Sequence, residues 1–89
     1  MAVVWIPALM RDLTAGLTQV EVPGTTVREV IDSLESRYPG VKARLVEKGR
    51  LRPNISVIVD GITSQKGLRE PVGEHSEVHF LPAISGGAG

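Results

Sequence analysis

Cysteine is absent from all 89 residues. Disulfides, thiolate metal sites and a cysteine nucleophile are thereby excluded. Aromatic residues are nearly absent too. Trp5, Tyr38 and Phe80 are the full set, too few for a base-stacking platform. Neither sign of charge is in excess, since ten Lys and Arg stand against ten Asp and Glu. No basic surplus therefore draws the chain to nucleic acid or to an anionic membrane. No apolar run approaches the roughly 18 residues of a membrane span. The opening stretch Met1 to Pro7 lacks the basic n-region of a signal peptide. The cytoplasm is the expected compartment. Repeats and low-complexity linkers are also missing.

What the chain does have is dense Gly and Pro punctuation, which cuts it into short elements. Val3 to Met10 reads as a first strand, with Val4 and Ile6 on one face and Val3 and Trp5 on the other. Arg11 to Leu17 is a turn around Gly16, and Thr18 to Val22 resumes as the second strand of a hairpin. Thr26 is placed to cap a helix, with Glu29 at capping-box spacing. Val27, Val30, Ile31, Leu34 and Tyr38 then share one helical face, and Pro39-Gly40 ends the helix. Val41 to Lys48 is expected as a short second helix. Asn54 to Asp60 is a strand, with Ile55, Val57 and Val59 on one side and Ser56 and Ile58 on the other. Asp60-Gly61 is a tight-turn pair that returns the chain through Ile62 to Ser64. Gln65 to Ser76 is mostly loop. Glu77 to Leu81 is the last strand, with Val78 and Phe80 inward, and Pro82 is expected to stop it. The order β-β-α-β-(β)-β around one amphipathic helix gives a small α+β domain.

The closing stretch Gly73 to Gly87, with the strand Val78-His79-Phe80-Leu81, then Pro82-Ala83-Ile84-Ser85 and Gly86-Gly87, resembles the end of the MoaD/ThiS family. The opening Ile6-Pro7-Ala8-Leu9-Met10-Arg11, followed by Leu13-Thr14-Ala15-Gly16, looks like the family's first strand and turn. A lone Gly-Gly is a weak signal. Gly-Gly after this strand, in this order of elements, is a strong one. The resemblance covers nearly the whole chain and implies a ubiquitin-like β-grasp fold, a mixed sheet of four to five strands on one main helix. Residues 1–81 would form that domain and residues 82–89 a flexible C-terminal arm. Within the family, the two ends look most similar to carriers serving cysteine biosynthesis, and next to the small subunit of molybdopterin synthase.

The resemblance implies a sulfur carrier with no catalytic site and no bound cofactor of its own. An E1-like partner uses ATP and magnesium to adenylate the terminal glycine carboxylate. A sulfur source then displaces AMP and leaves a thiocarboxylate, whose sulfur passes to a biosynthetic enzyme (of cysteine, molybdopterin, thiamine or a related product). The residues suit this chemistry. The reacting atoms are backbone, so no side-chain nucleophile is needed. Gly86 and Gly87 lack Cβ and can thread a narrow channel. From Leu81 to Gly87 the arm reaches roughly 20 Å when extended, and Pro82 limits the entropy lost when it docks. The tail departs from the family pattern in one respect: Ala88-Gly89 follow the Gly-Gly. The expectation is that a peptidase, plausibly of the JAMM zinc type, removes them to expose Gly87. The alternatives are that Ala88-Gly89 is an extension foreign to the native protein, or that Gly89 is the reactive end.

Other conspicuous residues have plainer readings. His75 and His79, without a carboxylate cluster, make a poor metal site and read as surface histidines. Arg50 and Arg52 offer contacts to an acidic partner, but a solvated charge pair is the simpler reading. Trp5, Ile58, Leu81, Pro82 and Ile84 are candidates for a partner-docking surface on the outer face of the sheet. Two rival functions stay open. One is a protein modifier joined to lysines through the same Gly-Gly. The other is a β-grasp binding module with an inert tail. An independent enzyme is the weakest reading, since no base, nucleophile or metal constellation converges anywhere.

Overall fold

The main helix starts where its capping residues dictate. In the computed structural model, which describes residues 1–82 apart from the Leu9 side chain, α1 spans Val27–Arg37. The Thr26 hydroxyl accepts the Glu29 N–H at 3.2 Å. The return arm of the expected capping box goes one residue further back. Glu29 Oε1 accepts from the Thr25 N–H at 2.8 Å and from the Thr25 hydroxyl at 2.7 Å. Val27, Val30, Ile31 and Leu34 are fully buried, as their spacing predicts.

That apolar stripe packs on a five-stranded sheet. Its strands are β1 (Ala2–Trp5), β2 (Gln19–Val22), β5 (Ile55–Val59), β6 (Ile62–Thr63) and β7 (Glu77–Pro82), in the spatial order β2-β1-β7-β5-β6. β1 and β7 run parallel at the centre and every other neighbour is antiparallel, so the sheet is mixed. This is the β-grasp arrangement. Val4, Val22, Val57, Val78 and Phe80 meet the helix in a core that excludes water. Each such side chain contributes about 1.5–3 kcal/mol by leaving solvent.

Three elements differ from the sequence expectation. β1 ends at Trp5 rather than Met10. Ile6 still donates its N–H to Thr18 (2.9 Å), but Pro7 has no N–H to continue the ladder, and Ala8–Met10 tightens into a 3-10 turn. The second helix, α2 (Val41–Leu45), stops before Lys48. Val46–Glu47 (β3) instead pairs with Arg50–Leu51 (β4) around Lys48 and Gly49, both at positive φ (56° and 79°). Finally, β7 continues through Pro82, which stands opposite Ile55, so the expected stop comes one residue early. The Asp60-Gly61 turn has φ values of 52° and 84°, the doubly left-handed geometry that a two-residue hairpin favours.

Candidate functional site

Alternation along three strands sends a second set of side chains away from α1. On this outer face the register aligns Trp5 of β1 with His79 of β7, and His79 with Ile58 of β5. One row further toward the C-terminus, Leu81 stands opposite Ser56. Trp5 is 36% exposed and Leu81 44% exposed, while Ile58 and His79 are half-buried and Pro82 is exposed. Of the expected docking residues, Trp5, Ile58 and Leu81 share this outer face, whereas Pro82 stands opposite buried Ile55 and by alternation falls on the other side of the strand. Ile84 lies outside the described residues, as do Gly86, Gly87, Ala88 and Gly89.

The residue at the centre of that face is one that sequence reasoning set aside. His79 separates Trp5 from Ile58, and its ring lies parallel to the indole at 5.3 Å with 7° between planes. Glu77 Oε1 is 3.9 Å from His79 Nε2, a contact that becomes an ion pair only when the imidazole carries a proton. The patch is therefore an apolar surface with a polar centre. Beside it a shallow hollow of about 180 Å³ opens between Trp5, Pro7, Arg11, His79 and Leu81. Arg11 is oriented there by donating Nε–H to the Ile6 carbonyl at 3.2 Å.

The approach to β7 is held by a polar network. Asp60 Oδ2 accepts from the Ser76 hydroxyl at 2.7 Å, and Oδ1 accepts from the Glu77 N–H at 2.9 Å. Ser76 Oγ in turn accepts the Gly73 N–H at 2.8 Å. The Ser76 hydroxyl, and next the Glu77 amide, hold the Asp60 carboxyl below the usual aspartate value. Among the described residues, no group of three or more His, Asp or Glu is placed to hold a metal. No described helix is long and apolar enough to cross a membrane.

The ThiS family profile matches residues 4–87, a span that runs from the first strand through the second glycine of the tail. The chain belongs to the ThiS family. This ThiS-family chain is 32% identical over 87 residues to the sulfur carrier protein CysO of Mycobacterium tuberculosis, covering 92% of itself and 94% of that protein. It also superposes on a chain of the crystal structure of the Amycolatopsis orientalis BexX/CysO complex with a TM-score of 0.90 and 39% identity, over 97% of this chain and 99% of that one. A third likeness is to the small archaeal modifier protein 1 of Methanosarcina acetivorans, with a TM-score of 0.78 and 28% identity, over 96% and 94% of the two chains. The fold and family implied by the two ends of the sequence are those observed.

Proposed function

We propose that this ThiS-family protein is a sulfur carrier that works through the carboxylate of Gly87. The observation that carries the reading is the family match, which runs to Gly87 and leaves out Ala88-Gly89. Likeness to CysO proteins over almost the full length supports it and favours a cysteine-forming enzyme as sulfur acceptor.

In this reading a peptidase of JAMM type first cleaves after Gly87. A Gly87 carboxylate oxygen then attacks the α-phosphorus of ATP on an E1-like enzyme holding magnesium, and pyrophosphate leaves. A sulfide or persulfide sulfur attacks the acyl carbon of the adenylate. AMP departs with the original oxygen; sulfide leaves the thiocarboxylate directly, whereas a persulfide leaves an acyl disulfide from which a thiol reductant, itself oxidised to a disulfide, releases the thiocarboxylate. The acceptor enzyme takes the sulfur and releases the carrier. This chain supplies the reacting carbonyl, an arm whose last two residues before the reacting end carry no side chain, and a docking face around Trp5, Ile58 and Leu81, close to the end of β7. It performs no catalytic step.

A second reading has its own support, because some relatives are named as modifiers. The chain is 31% identical over 64 residues to small archaeal modifier protein 3 of Haloferax volcanii, covering 70% of each. A modifier would join the same activated Gly87 to a lysine amine. Intact mass separates the readings. The protein is taken from its native host and then treated with the E1-like enzyme, ATP and a sulfur source. Loss of Ala88-Gly89, followed by one oxygen-for-sulfur exchange at Gly87, is the carrier result. Isopeptide conjugates without that exchange are the modifier result. A Gly87-ended chain that is never adenylated overturns both.

A further inference from the structure

A chain of zero net charge still sorts its cations. Of ten Lys and Arg residues, five have visible work. Lys42, Arg44 and Arg52 pair with Asp32, Asp12 and Glu47 at 2.7, 3.3 and 2.8 Å. Arg11 and Arg37 donate to the carbonyls of Ile6 and Glu21. Of the remaining five, Arg28, Arg50, Lys66 and Arg69 all line one groove of about 480 Å³, and Lys48 adjoins its Gly49. Among the described residues, none of these four side chains has an ion pair or a hydrogen bond.

The groove runs between α1, the β3–β4 hairpin and the Gly67–Arg69 turn, on the helix side of the sheet, away from the Trp5–His79 face. Its floor is apolar, from half-buried Leu51 and buried Leu68. Among the described residues no carboxylate lines it. Of the acids on adjoining segments, Asp32 is paired with Lys42 and Glu47 with Arg52, while Glu29 and Glu70 keep their charge and accept from Thr25 and from the Ser64 hydroxyl at 2.6 Å. Four like charges lining one groove repel one another, and among the described residues no carboxylate forms an ion pair with any of them.

We propose that this groove binds an acidic segment of a partner protein, one that alternates carboxylates with apolar side chains. The carboxylates meet the four cations at the rim and the apolar side chains rest on Leu51 and Leu68. A nucleotide fits less well, because no aromatic ring lines the groove to stack a base. The cations also stand on separate, exposed stems around a leucine floor, which suits a segment that carries apolar side chains as well as carboxylates. Each exposed pair is weak alone, so the four act by sum and by steering encounter. The proposal does not rest on the sulfur-carrier reading, since binding here and thiocarboxylate formation at Gly87 are read separately.

The test is fluorescence anisotropy on the full chain. The probe is a labelled peptide of glutamate pairs alternating with leucines, measured against the same peptide carrying glutamines. Saturable binding is expected, with the glutamine peptide silent. The double variant Arg28→Glu/Arg69→Glu should weaken binding about tenfold, while Arg37→Glu, one such charge reversal outside the groove, leaves it within about twofold. Circular dichroism melts show that each variant is folded. The proposal is overturned if no saturable binding occurs up to about millimolar peptide. Equal weakening by Arg37→Glu, or glutamine and glutamate peptides binding alike, also overturns it. So does inorganic tripolyphosphate binding at the groove when the peptide does not, which would make it an anion site only.

Discussion

Trp5 and His79, from strands that run parallel, stack face to face at 5.3 Å on the outer side of the sheet. Parallel central strands carry the first and last segments of the chain, so this contact ties the opening strand to the base of the tail. Trp5 is the sole tryptophan and reports the contact directly. A stacked pair contributes about 0.5–1.5 kcal/mol beyond the area it buries. His79→Ala should therefore change Trp5 emission and lower urea stability by roughly 1 kcal/mol. A double-mutant cycle with Trp5→Ala should show coupling of that size. Strictly additive losses would mean the rings lie side by side without stabilising each other.

The outer face offers a cleaner test of docking at Leu81. The side chain is 44% exposed and the residue opposite is Ser56, so little packing is lost on replacement. Leu81→Asp should keep stability within about 0.5 kcal/mol. It should also lower kcat/KM for ATP-dependent activation by about tenfold, mainly through KM, if this face meets the activating enzyme. Unchanged activation kinetics would remove Leu81 from the docking surface.

Acid should loosen the approach to β7. The Ser76 hydroxyl and the Glu77 amide hold the Asp60 carboxyl below its ordinary value in the fold. Thr25, through its amide and its hydroxyl, does the same for Glu29. A depressed folded-state value means the unfolded chain takes up protons first as pH falls. The stabilisation is fully present above about pH 5 and is lost as pH drops through the carboxylate range toward the folded-state values. Asp60→Asn keeps a residue that tolerates the positive φ of 52° while removing the charge. Unfolding measured across that range should show a shallower acid limb for this variant than for the parent. A limb of the same steepness would assign the acid sensitivity elsewhere.

Gly24 sets how closely β2 is followed by α1. A Cβ there would stand 2.8 Å from Val30 Cγ2 and 2.8 Å from the Val30 backbone nitrogen. The methyl of Val30 can turn aside, but the helix backbone cannot. Gly24→Ala should cost about 1–3 kcal/mol by overpacking, added to the strain of its own φ of 155°. Gly61→Ala meets nothing within 4 Å and bears only the strain of its φ of 84°, worth about 1–2 kcal/mol. Both variants bear strain and only Gly24→Ala adds a collision, so its denaturant midpoint should fall further than that of Gly61→Ala. A Gly24→Ala midpoint equal to the parent's would show that the start of the helix can shift.

Local signals made the helix and the second hairpin readable. Thr26, Glu29 and the Val27-Val30-Ile31-Leu34 spacing specify α1, and Asp60-Gly61 specifies the turn between β5 and β6. The β3–β4 hairpin was hidden because each strand has two residues, too few to show alternation, and Lys48 is no usual turn residue. The same limit applies to the site. Alternation within each strand places Trp5, Ile58 and Leu81 outward. Which strand lies between which is a long-range fact, decided by the pairing of β7 with both β1 and β5. His79 is central only because of that order, so a reading by local pattern leaves it as a lone surface histidine. The basic groove escaped for the same reason: Arg28, Arg50, Lys66 and Arg69 come from separate segments and look dispersed along the chain.

Pro82 marks the point where the domain hands over to the tail. β1 pairs with β7 only from Glu77 to His79, while β5 follows β7 to Pro82. The last residues of β7 are therefore held on one side alone, a position where a proline without an N–H costs the sheet little. Its ring still fixes φ at the first step of the arm. Glycine there would let the arm leave in many directions, and docking would then have to select one. Replacing a constrained residue by glycine shifts such an equilibrium by about 0.4–1 kcal/mol. Pro82→Gly should lower the melting temperature by only a few degrees while lowering kcat/KM for activation of Gly87 about two- to fivefold, through KM. Pro82→Ala should fall between the two. An activation rate indifferent to both changes would mean that the activating enzyme itself imposes the path of the arm, and that the stiffness of Pro82 plays no part in delivering it.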